Sequence, residues 1–125
     1  MNQLEQPGAT FWAIADGYIP RGSHGEGREF LSHETACILN VGNEDAHIEV
    51  FIYHADRAPV GPYRLTVQAR RTFHMRFNDL KIPEPIALAT DYSAVIISDV
   101  PVIVQHTRLD TRQAESALFS TIAYS

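Results

Sequence analysis

Apolar and polar residues alternate with period two along much of this chain, the spacing of a β-strand that buries one face. In AHIEVFIYHA (residues 46–55), Ile48, Val50 and Ile52 share a face, as do Leu65, Val67 and Ala69 in YRLTVQA (63–69). Phe73, Met75 and Phe77 alternate with Thr72, His74 and Arg76. The runs YSAVIISD (92–99) and VIVQHTRL (102–109) are apolar enough for two buried strands, and TFWAIA (10–15) and FLSHETACILNV (30–41) supply two more upstream. Turn residues separate them: Gly42-Asn43-Glu44-Asp45, Ala58-Pro59-Val60-Gly61-Pro62 and Pro83-Glu84-Pro85. Short strands at this spacing predict an all-β sandwich or jelly roll in a single domain, residues 1–125, with 1–9 a loose tail.

Three places depart from simple alternation. The segment PRGSHGEGRE (20–29) has three glycines and no large apolar residue, and reads as a mobile surface loop. In the tail from Asp110, Ala114, Leu118 and Ile122 stand four apart as in a helix, yet ALFSTIAY is equally strand-like. On the middle strand both faces carry bulk, because Phe51 and Tyr53 lie opposite Ile48, Val50 and Ile52. One face of a two-layer sandwich is ordinarily wet. Phe51 and Tyr53 are therefore expected either under a loop or the tail, or at an oligomer interface.

Composition supports the β reading and narrows the function. Val, Ile and Thr total 27 residues against 10 for Leu and Met, a bias toward side chains that fit a pleated sheet. No apolar stretch approaches the roughly 20 residues of a membrane-spanning helix, and the N-terminal residues lack the pattern of a secretory signal. A soluble, cytoplasmic protein is expected. The single cysteine, Cys37, cannot form an intramolecular disulfide. A net charge of -5 repels nucleic acid in bulk, so any DNA contact would be local. Of ten cationic side chains nine are arginine, the residue suited to two-point recognition of carboxylates and phosphates.

Catalytic and metal motifs are absent. The sequence contains no His-x-His pair and no Gly-x-Ser-x-Gly, and its six histidines fall at scattered spacings. In Ser32-His33-Glu34, neighbours on a strand point to opposite faces, so His33 and Glu34 cannot both serve one centre without a bulge. No enzyme, metal or cofactor is expected. The polar block Gln105-His106-Thr107-Arg108-Leu109-Asp110 follows the apolar Val102-Ile103-Val104. A strand that leaves the core into hydrogen-bonding side chains builds either a polar pocket at a sheet rim or a salt-bridged strand end. Arg70, Arg71 and Asn78-Asp79 are further candidates on the same sheet.

Read together, GYIP (17–20), SHETACILN (32–40), EDAHIEVFIYHAD (44–56), VGPYRLTVQARRT (60–72), RFNDL (76–80), VPVIVQHTRLDTRQAESAL (100–118) and STIAY (120–124) closely resemble the sensory rhodopsin transducer family. The likeness runs from about Trp12 to Tyr124. Gln68 stands where the family carries a proline, and the 20–29 loop also departs from it. The resemblance implies a β-sandwich of about eight strands, a strand in the tail, and a homotetramer, in keeping with bulk on both sides at Phe51 and Tyr53. It also implies a non-enzymatic adaptor that binds the cytoplasmic face of a seven-helix retinal photoreceptor. An alternative within the family is a small-molecule, sugar-like ligand bound without a rhodopsin, and DNA contact is a third. His33, Glu34, Arg70, Arg71, Gln105, His106, Arg108 and Asp110 are the residues expected to meet a ligand or partner.

Overall fold

The computed structural model describes residues 6–21, 32–110 and 117–125, with the backbone alone for 117–122. Among them are seven strands: β1 (Ala9–Gly17), β2 (His33–Asn40), β3 (Ala46–Tyr53), β4 (Val60–Val67), β5 (Arg71–Arg76), β6 (Tyr92–Asp110) and β7 (Ala117–Ile122). One 3-10 turn covers Phe77–Asp79, and every strand pairing is antiparallel.

The two strands expected over 92–99 and 102–109 are one, so the described residues form seven strands where about eight are expected for the chain. Pro101 does not break β6 because it falls where the strand changes partners. Pairing with β3 ends at Ser98 and pairing with β2 starts at Ile103, so the missing N–H interrupts neither ladder. Phase is kept across the proline: Ala94, Ile96, Ser98, Val102, Val104 and His106 are all buried. As a result β6 is common to two halves of the sheet, one in the order β4-β3-β6-β1 and the other β5-β2-β6-β7.

The halves curl toward each other. Tyr92 and Arg108 would lie roughly 50 Å apart on a straight strand. Yet both side chains reach the same carboxylate, that of Glu34, at 2.8 and 2.7 Å. The strand therefore doubles back, and the inner faces of the two halves close on one core that includes Trp12, Ile38, Val50, Ile52, Phe77, Ile96 and Val104. Trp12 joins the halves near the bend, its indole Nε1 donating to the Val102 carbonyl at 2.9 Å.

At the N-terminus the chain is tied from Gln6 onward, not loose through residue 9: Gln6 Nε2 donates to the Pro101 carbonyl at 2.9 Å. Gly8, at φ 109°, packs so closely on Val102 that a Cβ would collide with its backbone. The tail beyond 117 is a strand, because β6 offers it an edge to pair with over Gln105–Asp110; residues 111–116 lie outside the described residues. So does the 20–29 loop beyond Arg21.

Phe51 and Tyr53 lie on the outer face of the first half. The register places Phe11, Ile97 and Glu49 in one row across it, and Ala13, Val95 and Phe51 in the next. Phe11, Ile97 and Tyr53 are each 40–47% exposed, so neither a loop nor the tail covers this face among the described residues.

Candidate functional site

Glu34 is the second residue of β2 and points inward with Ala36, Ile38 and Asn40, so alternation alone carries a carboxylate into the core. It is fully buried. Four donors converge on it. Oε1 accepts from the Tyr92 hydroxyl at 2.8 Å and from His106 Nε2 at 3.0 Å. Oε2 accepts from the Tyr18 backbone N–H and from Arg108 Nε, both at 2.7 Å. Arg108 continues outward, its Nη2 donating to the Asp16 carbonyl at 3.0 Å and to Asp16 Oδ1 at 3.2 Å. The backbone N–H of Glu34 donates to Asn78 Oδ1 at 3.3 Å, and Asn78 Nδ2 donates to the Ser32 carbonyl.

Burial alone would push the Glu34 carboxyl up. Hydrogen bonds from His106, the Tyr18 N–H and Tyr92, together with the charge of Arg108, outweigh it and hold the group below the ordinary carboxylate value. The Tyr92 phenol moves the other way: burial first, then the charge and hydrogen bonding of Glu34, push it well above the usual tyrosine value. Chemically, Glu34 is saturated. A carboxylate offers about four acceptor positions and here all are filled, leaving none for a substrate proton. The cluster is a tie that holds β1, β2 and both ends of β6 together.

Three of the expected residues, Glu34, His106 and Arg108, thus meet. His33 is on the opposite face of β2, as alternation requires, where Arg76 Nη2 comes within 3.5 Å of its Nε2. Gln105 points outward from β6, and Asp110 ends that strand opposite Ala117. Arg70 and Arg71 do not join the cluster. Arg71 pairs with Asn40, six positions along β2 from Glu34 and so roughly 20 Å away. Tyr92, Asp16 and the Tyr18 N–H escaped sequence reasoning. For Tyr92 a signal existed, since it shares even-numbered, inward phase with His106 and Arg108; Asp16 meets Arg108 only through the curl.

Beside the cluster, Asp16 and Tyr92 border a cleft of about 510 Å³ with Tyr53, His54, Asp91 and Ser93. Ser93 Oγ donates to the Ala15 carbonyl at 2.7 Å. His54 Nδ1 is buried with no hydrogen-bond partner among the described residues. Among the described residues no group of His, Cys, Asp and Glu is arranged to hold a metal ion, and no helix is long and apolar enough to cross a membrane.

Comparison with known proteins places this architecture. The solved structure of the Anabaena sensory rhodopsin transducer is 60% identical, with a TM-score of 0.75, over 82% of this chain and 99% of that one. The crystal structure of Thermotoga maritima 1070 is 35% identical, with a TM-score of 0.83, over 95% of this chain and 96% of that one. None of the curated proteins matches. The family model described as Anabaena sensory rhodopsin transducer matches residues 7–125, and the chain belongs to that family.

Proposed function

We propose that this protein is a cytoplasmic, non-enzymatic signalling adaptor that binds a seven-helix sensory rhodopsin and relays its light-dependent state. The observation that carries the reading is family membership over residues 7–125 together with 60% identity to a sensory rhodopsin transducer. A carboxylate site with every acceptor position filled supports an interaction role over an acid-base one. Relay requires different affinities for the dark and illuminated receptor, because equal affinity transmits nothing. An acidic chain also suits the basic cytoplasmic loops that membrane proteins carry.

The working unit in this reading is a homotetramer. Support comes from the outer face of the first half, where Phe11, Ile97 and Tyr53 stand exposed beside the half-buried Val95 and Phe51. The test is calorimetric titration of the protein with a detergent-solubilised retinal photoreceptor from the same organism, dark and illuminated. Indistinguishable affinities would sink the relay. A second reading, a small polar ligand such as a sugar, is supported by the cleft at Asp16, Tyr53, His54 and Asp91 more than by the self-saturated Glu34 cluster. A thermal shift with a sugar panel that Asp91→Ala abolishes would favour it. Direct DNA binding is disfavoured by the net charge of -5.

A further inference from the structure

Among the described residues β5 pairs with β2 alone, so one of its edges is open. An open edge presents unpaired backbone N–H and C=O groups, and proteins commonly blunt it with charge. This edge is charged, but it is not only blunted. From Gln68 to Asn78 the chain has Arg70, Arg71, His74 and Arg76 and no carboxylate, within a protein of net charge -5. Arg71, Thr72, Phe73 and His74 are all exposed. Among the described residues neither Arg71 nor His74 has a carboxylate partner: Arg71 Nη1 donates to the Arg70 carbonyl, and Asp45 Oδ1 accepts from the Ala69 N–H.

An aromatic side chain sits in the middle of this positive stretch. Phe73 is 45% exposed although it stands opposite the fully buried Ile38. It lines a hollow of about 250 Å³ with Thr66, Val67, Gln68, Arg71 and Thr72, where the edges of β4 and β5 leave a seam between the two halves of the sheet. Edge, hollow and charge together specify an occupant. We propose that β5 is a docking edge for an acidic, extended peptide that adds as a strand. Alternate side chains would point into the seam against Phe73 and Arg71, and the others outward toward His74.

Charge complementarity selects this partner. A second copy of the same edge would place arginine against arginine. A nucleic acid brings phosphates but no backbone N–H or C=O to continue the ladder, and a long polyanion is repelled by the rest of the chain. The proposal does not rest on the receptor reading, because it is argued from the charge and the open edge of β5 and its test uses no photoreceptor.

The experiment is fluorescence anisotropy of the full chain with a fluorescein-labelled peptide alternating glutamate and valine over about six residues, the length of β5. Saturable binding that weakens with salt is expected, with amide shift changes in NMR spectra confined to β5 and its seam. Arg71→Glu and Phe73→Ser should each weaken it at least tenfold, both positions being exposed and compatible with folding. The same peptide with a central proline should not bind. Equal binding of the proline peptide, unchanged affinity in Arg71→Glu, or tighter binding of a single-stranded oligonucleotide of similar length would each overturn the proposal.

Discussion

Replacing Glu34 by glutamine keeps its volume and removes its charge, so the variant isolates the tie between β1, β2 and the two ends of β6. In the wild type Oε2 accepts the Tyr18 N–H and Arg108 Nε, while Oε1 accepts Tyr92 and His106. A glutamine amide can keep the Oε1 pair, but its NH₂ would face two donors and accept neither. Hydrogen bonds to charged groups contribute about 1.5–3 kcal/mol each. Relief of the carboxylate's own desolvation offsets part of two such losses, and breaking one partner of a buried charge pair costs about 3–5 kcal/mol in practice. The expected loss for Glu34→Gln is therefore about 3–5 kcal/mol, read as a lower urea midpoint at fixed protein concentration with m unchanged. In a double-mutant cycle with Arg108→Met, the coupling should be about 2 kcal/mol or more. A loss below about 1 kcal/mol would refute the reasoning, because the tie would then be a surface-like pair that solvent replaces.

The same carboxylate sets an acid limit. Its folded pKa lies below the ordinary value of 4.5, so the unfolded chain binds the proton more readily; the stabilisation is complete above about pH 4.5 and is lost as pH falls through the folded value. Urea midpoints measured from pH 7 to 3 should show this drop in the wild type and a shallower one in Glu34→Gln. Tyr92→Phe removes a single donor while keeping the ring that packs on Phe77 at 5.6 Å, so it should cost about 1–2 kcal/mol, less than Glu34→Gln; an equal cost would mean that the carboxylate has collapsed in both. Ile97→Glu places a second charge beside Glu49 among the exposed apolar side chains of the outer face, without touching the core. Light scattering should report smaller particles than for the wild type, and an unchanged mass would show that the subunits meet elsewhere.

Much of the fold is written in local alternation. Ile48, Val50 and Ile52, or Ala36 and Ile38, lie on the buried face that their spacing assigns, because a pleated strand leaves no other placement once one face is dry. The same rule separated His33 from Glu34. The family was legible as well, since its blocks stand in order along nearly the whole chain. The runs 92–99 and 102–109 read as two strands but form one; proline usually ends a strand, and only the handover from β3 to β2 shows why Pro101 is tolerated inside it. That handover bends β6 and carries Tyr92 and Arg108, far apart in sequence, onto one carboxylate, with Asp16 behind them. Sequence determined which side chains face inward, a property of two-residue periodicity. Which of them touch was decided by the curl of the sheet, a long-range property with no local signal. The same curl turned a row of polar candidates into a saturated tie and left Arg71 and Phe73 on an open edge.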